Sequence, residues 1–375
     1  MSDHAKLSAS ESARWLNCAG SIKAIEQLDI KDTGSIFAAE GTAAHSLAEI
    51  CLTTKYDTSE LEDSKIGGIV IDAEMIDNVQ DYIDYIHALY DEDKDVLLVE
   101  ELVQFTDYVP DGFGTADAII IKPDTATCHI VDLKYGKGVK VEAEGNTQAQ
   151  MYALGVMQEL RALYDIRTFV MHIVQPRISN YSEWTISQQD LREFGEYVKK
   201  RAELALSPNA PRNAGEKQCQ WCPAKGDCAT LAAHTANIIG AEFDDLDNLD
   251  VNILTDEHKA TILKNKKLVI NFLSAVEDSV FDQLARGEEF EGYKLVEGRS
   301  IRKWKPEAEE VLVDKLGDDA YNKKLIGLTE AKKVLSKDEI DALTIKPEGK
   351  PTLAPETDKR PSIGDNIIAT FDNLD

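Results

Sequence analysis

Between residues 36 and 174 the hydrophobic pattern changes rhythm several times, and the changes outline a fold before composition is considered. Ile36 to Leu52 sets Ala44, Leu47, Ala48 and Cys51 on one face at helical spacing, which predicts an amphipathic helix. Val96 to Phe105 reads as a strand. Gly114 to Ile121 and Thr127 to Lys134 are two further apolar runs separated by the turn formers Pro123 and Asp124, the pattern of a hairpin. A helix is expected from Asn146 to about Leu163, followed by a strand from Arg167 to Val174. A helical crossover favours parallel pairing between the strands it joins. The predicted order is αβββαβ.

Later segments are less regular. Asp256 to Arg286 predicts a long helix, Phe290 to Lys305 a strand or hairpin, and Pro306 onward short helices that include Thr329 to Leu335. Lys346 to Pro361 holds four prolines among many charges, so it is expected to be extended or disordered. At 375 residues the chain can bury a large core and still divide. The expected divisions are a core over 1–235 with an acidic helical insertion over 53–95, an α+β region over 236–345 and a tail over 346–375.

Chemistry enters through the hairpin. If Lys122 pairs with Thr127, antiparallel counting sets Asp117 opposite Asp132, with Cβ atoms roughly 5 Å apart. Facing carboxylates destabilise a sheet unless something lies between them, and a divalent cation is the natural candidate. Lys134 follows Asp132 by two residues and shares its face. On the next helix Gln148 and Tyr152 are four apart and also share a face. His45 flanks the apolar stripe of the first helix, a position where a histidine is more often a packing residue than a ligand. Glu100 and Glu101, read as lying at a strand edge, are weaker candidates.

Cysteines form a second constellation. Cys219, Cys222 and Cys228 make a C-x2-C-x5-C run, and short loops of this kind aim several thiolates at one point. A fourth ligand must come from elsewhere. Cys51 in a helix and Cys128 in a strand read as small buried hydrophobes, which leaves Cys18. A disulfide framework is not expected in a long chain without a secretory signal.

Gly114-Thr115-Ala116-Asp117, Asp132-Leu133-Lys134 and Gln148-Ala149-Gln150-Met151-Tyr152, preceded by His45, resemble in order the motifs of the RecB-like branch of the PD-(D/E)XK nucleases. Ala116 stands where the superfamily's name has proline. The resemblance covers about residues 8 to 230, and the remainder looks like the carboxy-terminal region of an uncharacterised phage- and prophage-encoded subgroup. It implies a restriction-endonuclease-like α/β core and a metal-dependent deoxyribonuclease, expected to act as an exonuclease in phage DNA replication, recombination or repair. It also implies that His45, Asp117, Asp132 and the Leu133 carbonyl hold Mg²⁺ or Mn²⁺, with Lys134, Gln148 and Tyr152 completing the catalytic set. Cys18, Cys219, Cys222 and Cys228 resemble the four-cysteine iron-sulfur staple of these nucleases, with zinc as the lesser alternative.

Charge argues the other way. The net charge is -27, and residues 51 to 100 alone hold 14 acidic and 3 basic side chains. Nucleic-acid binders usually carry a basic footprint. The local candidates for DNA contact are Lys137 and Lys140, just after the second hairpin strand, and the run containing Arg302, Lys303 and Lys305. A rival expectation is therefore a non-catalytic DNA-binding or scaffold protein of a phage replication or recombination complex. A zinc-bearing regulator is a third, but no basic recognition helix supports it. The lack of a long apolar stretch and of a signal-like amino terminus points to the cytoplasm of a bacterial host.

Overall fold

The computed structural model describes residues 5–28, 36–54, 56–240 and 256–296, with 340, 343 and 344. The chain divides into two units, Met1–Phe290 and Glu291–Asp375, and the sheet lies in the first. The run Arg299 to Lys305, with Arg302, Lys303 and Lys305, falls outside the described residues, as do Thr329 to Leu335 and the tail from Lys346. One expectation is corrected. Phe290–Val296, the described part of the strand expected over Phe290 to Lys305, is turn and irregular backbone. Gly292 there has φ of 85°, a left-handed conformation that breaks a strand.

Helices α1 (Ser12–Trp15), α2 (Ser21–Leu28) and α3 (Ile36–Thr53) come first. The acidic segment then forms a small hairpin, β1 (Lys65–Ile66) with β2 (Ile69–Val70), and helix α4 (Ala73–Leu89). Asp72 caps α4 by accepting from the Met75 N–H at 2.8 Å. The main sheet contains β3 (Val96–Gln104), β4 (Phe113–Lys122), β5 (Thr127–Leu133), β6 (Thr168–Gln175) and β7 (Asn180–Ser187), in that spatial order. Helix α5 (Thr147–Leu160) crosses from β5 to β6, which pair in parallel, and the other neighbours are antiparallel. After the sheet come α6 (Gln188–Leu206), α7 (Glu216–Gln220), α8 (Ala229–Gly240) and α9 (Asp256–Ala285).

The sheet is buried on both faces. Ile119, Ile121, Cys128, Ile130, Phe169 and Met171 pack with α5 and α6, whereas Ala118, Ile120, Val131, Leu133 and Val174 pack with α3 and α4. Two covered faces explain why β4 and β5 read as almost unbroken apolar runs. Each fully buried isoleucine contributes about 1.5–3 kcal/mol. The fold is thus a mixed α/β arrangement around a five-stranded sheet. Strand β7 and helix α6 were not anticipated. Their signal was present, since Ser187 and Asp190 form a capping box at the start of α6, a pattern readable from sequence.

Candidate functional site

The hairpin register is the one expected, with Lys122 paired to Thr127 and the ladder running to Ala118 opposite Val131. The next step differs. Asp117 and Asp132 do not continue the ladder, and Oδ2 of Asp117 instead accepts the Leu133 N–H at 2.7 Å. The cause is a kink in the neighbouring pair. Val96, Leu98 and Val103 all pack toward the α5 side, as do Ala116 and Ile119, so both β3 and β4 change phase where Glu100 and Asp117 stand. Glu100 has φ of 48°, a left-handed conformation uncommon for residues other than glycine, and pairing is interrupted there without a change of register, from Val99 opposite Ala118 to Glu101 opposite Ala116. At this kink Asp117 turns toward the end of β5.

Asp132 is 2 % exposed, and neither of its carboxylate oxygens has an aligned hydrogen-bond donor. The Lys134 ammonium lies 2.8 Å from Oδ2, close enough for an ion pair but without hydrogen-bond alignment. Lys134 also donates to Oε1 of Gln148 at 2.9 Å, and Gln148 Nε2 donates to the Tyr152 hydroxyl at 2.9 Å. Helix α5 thus presents Gln148 and Tyr152 to the end of β5, as their four-residue spacing requires. Burial, opposed by Lys134 and reinforced by Asp117, raises the pKa of Asp132. Burial disfavours charge on Lys134, yet Asp132 and Asp117 outweigh it and raise its pKa. Burial pushes the Tyr152 hydroxyl far up as well, so it stays a neutral donor.

His45, on α3, reaches the same strand end from the opposite face. Its Nε2 lies 2.9 Å from the Leu133 carbonyl oxygen and 3.4 Å from Oδ2 of Asp117. The carbonyl can only accept, so Nε2 carries the proton in this arrangement. Burial opposes the imidazolium, but Asp117, the Leu133 carbonyl and Asp132 prevail and raise its pKa. Glu100 joins the group from β3, with its pKa pushed up to about 7 by burial and then by Asp117. Sequence reading undervalued it as a strand-edge glutamate, whereas it sits mid-strand at the kink. Glu101 is exposed.

Lys137 and Lys140 follow β5 on an exposed segment, and each is already paired. Lys137 meets Glu74 at 2.5 Å and Lys140 meets Glu142 at 2.5 Å.

The four cysteines singled out by sequence line one cavity, together with Ser21, Ala24 and Leu231. The amino-terminal segment is held there by contacts far apart in sequence. Arg201 donates to the Leu16 carbonyl at 2.6 Å, Gly20 N–H to Pro211 at 2.8 Å, and Asn213 N–H to Cys18 Sγ at 3.3 Å. A side chain at Gly20 would come within 2.7 Å of the Ala210 carbonyl oxygen, so glycine permits this close approach. Helix α9 closes the other side, since Leu268 packs with Cys219 and Leu231. Burial, together with the neighbouring Cys222, Cys18 and Cys228, pushes the Cys219 thiol up to about 11. All six cysteines are free. Cys128 is buried in the sheet core, and Cys51 packs at the margin of the α3–α4 cluster. Among the described residues no group of three or more His, Cys, Asp or Glu side chains is arranged to hold a metal ion. No helix among the described residues is long and apolar enough to cross a membrane.

A family model described as "Protein of unknown function (DUF2800)" matches residues 4–361. Among solved structures, one described as the crystal structure of SSO0001 aligns with 56 % of this chain and 94 % of its own, at 15 % identity and a TM-score of 0.25.

Proposed function

The chain belongs to the DUF2800 family, and we propose that it is a divalent-metal-dependent deoxyribonuclease with a restriction-endonuclease-like core, similar to RecB-like enzymes. The observation that carries this reading is Asp132, a buried carboxylate with no aligned donor in a group that also contains Asp117, Glu100 and His45. Its close charged partner is the Lys134 ammonium at 2.8 Å, burial still raises its pKa, and a hard cation bound by oxygen ligands would further offset the cost of burying the charge. The donor chemistry fits Mg²⁺ or Mn²⁺, held by Asp117 and Asp132 with Glu100 and His45 adjoining. For His45 Nε2 and the Leu133 carbonyl to serve as ligands, the 2.9 Å hydrogen bond between them must break and Nε2 must lose its proton. When bound, such a cation supplies Lewis-acid polarisation of the phosphate and a more acidic water.

The remaining roles fall to protein groups. Lys134 stays charged and can stabilise negative charge developing on phosphate oxygens. Gln148 accepts from Lys134 and donates to Tyr152, which fixes the direction of the ammonium. The thiol set of Cys18, Cys219, Cys222 and Cys228 suits a four-iron cluster, with zinc as the alternative, and a structural role tying the amino terminus to the segment after α6. DNA with free ends is the proposed substrate, and partners in phage replication or recombination are part of the same proposal.

The acidic chain, at net -27, favours a second reading, a non-catalytic DNA-binding or scaffold protein. One assay separates them. Anaerobically purified protein with Mn²⁺ is expected to degrade end-labelled DNA, and Asp132→Asn and Lys134→Ala are each expected to lower the rate at least a hundredfold. DNA binding without cleavage by the wild type would favour the second reading.

A further inference from the structure

We propose that the segment Gly136–Lys140 is a phosphate-binding loop for the nucleic-acid backbone, read through main-chain N–H groups, and that buried Gln175 is its positioning residue. The proposal rests on the nuclease reading above and adds where the backbone of the substrate is held.

Gln175 is 1 % exposed, at the end of β6. Its Nε2 donates to the carbonyls of Gly136 at 2.7 Å and Val139 at 2.9 Å, and its Oε1 accepts from the Val141 N–H at 3.2 Å. Asn180, also buried, donates to the Val141 carbonyl at 2.7 Å and to Gln175 Oε1 at 3.3 Å. Two interior amides therefore grip the loop by its carbonyls. In a trans peptide the carbonyl of one residue and the N–H of the next point in opposite directions. With the carbonyls of Gly136 and Val139 drawn toward Gln175, the N–H groups of Lys137 and Lys140 face away from it. Both residues are exposed. Among the described residues, no N–H of residues 136–140 donates to a protein acceptor.

The glycines point the same way. Gly136 and Gly138 flank Lys137, and neither has a left-handed φ. A Cβ added to either would meet nothing within 4 Å. Neither backbone conformation nor packing therefore requires glycine at these positions. The bare main chain leaves room for an external phosphate to approach closely, and the outward N–H groups are the donors that an anion would meet there. The lysine ammonium groups are paired with Glu74 and Glu142, which leaves neutral main-chain donors as the loop's unused binding capacity. Neutral donors let a strongly acidic chain contact phosphate beside Asp132 and Lys134 without a basic surface.

The test uses full-length protein and a fluorescein-labelled 30-nucleotide DNA, single-stranded and duplex, with Ca²⁺ replacing Mn²⁺. Dissociation constants from anisotropy are read beside thermal unfolding and the Mn²⁺-induced thermal shift. In the double variant Gly136→Ala/Gly138→Ala the melting temperature is expected to hold while DNA affinity falls at least tenfold. Gln175→Glu keeps an acceptor for Val141 but cannot donate to Gly136 and Val139. It is expected to lose DNA affinity similarly while retaining the Mn²⁺ shift, which a general collapse of the site would abolish. Wild-type affinity in the double-alanine variant overturns the proposal. If the wild type binds DNA but never cleaves it, the nuclease reading alone fails, and the affinity comparison still decides the loop. If the wild type binds neither DNA, both fail.

Discussion

Replacing Asp132 by asparagine is expected to make the metal-free protein more stable and the Mn²⁺-loaded protein less stable than wild type. Asp132 is almost wholly buried without an aligned donor. A carboxylate in that position carries an effective desolvation penalty of several kcal/mol. At an effective dielectric constant of about 20, its attraction to the Lys134 ammonium at 2.8 Å offsets this by about 6 kcal/mol, and repulsion from the neighbouring Asp117 adds part of it back. The raised pKa of Asp132 says that the unfavourable contributions prevail, so the neutral isostere should stabilise the metal-free fold by about 1–3 kcal/mol. Manganese at a hundredfold over its dissociation constant should then stabilise the wild type by about 2.7 kcal/mol, a rise in Tm of roughly 4 °C for a unit spanning Met1–Phe290. The asparagine variant should gain nothing. Differential scanning fluorimetry in EDTA and in Mn²⁺ therefore gives melting curves whose order reverses. A variant that melts below wild type in EDTA, or an equal Mn²⁺ shift in both proteins, refutes the reasoning. Asp117 is the poorer choice, because its carboxylate also accepts the Leu133 N–H.

Gln148→Leu should lower cleavage by about tenfold to a hundredfold while leaving Mn²⁺ binding intact, since Lys134 keeps its charge but loses its orientation; cleavage kinetics beside the Mn²⁺ thermal shift check this. Anaerobically purified protein should be brown, with iron and acid-labile sulfide each at about four per chain. Cys18→Ser should lose the colour as fully as Cys222→Ser, and Cys51→Ser and Cys128→Ser should keep it; colourless protein with stoichiometric zinc would replace the cluster by a zinc site. The fold should also weaken with acid through buried His172 and half-buried His129, joined Nε2 to Nδ1 at 2.8 Å. Burial lowers the His172 pKa to about 3 and, with Lys122, that of His129 to about 4. Both values are below the unfolded value of about 6.5, so the unfolded chain binds the extra protons. The stabilisation is complete above about pH 6.5 and is lost toward pH 4, at up to about 1.4 kcal/mol per pH unit for each histidine. Urea midpoints should fall across that window and fall less steeply in His172→Gln; a flat profile in the wild type would count against the argument.

What the sequence determined by itself was the local order of the fold and the chemistry carried by short spacings. Hydrophobic rhythm located α3, β3, β4, β5, α5, β6 and α9 to within a few residues, because each buries a face whose period its side chains must follow. The hairpin register was countable because Pro123 and Asp124 fix the turn. Gln148 and Tyr152 were pairable because four residues are about one helical turn. Tertiary structure decided the rest. The left-handed kink at Glu100 depends on β3 meeting β4, and it lies where Asp117 leaves the ladder and Glu100 joins the carboxylate group. The gathering of Cys18 with Cys219 depends on contacts between Leu16–Gly20 and Arg201–Asn213, which no local pattern encodes. Gln175 lay just past the strand expected to end at Val174, and only the return of the loop after β5 across the end of β6 makes its amide the group that orients that loop. Local periodicity is fixed by a residue's neighbours in sequence, whereas strand kinks, long-range thiol clusters and buried amide clamps exist only once distant segments have packed.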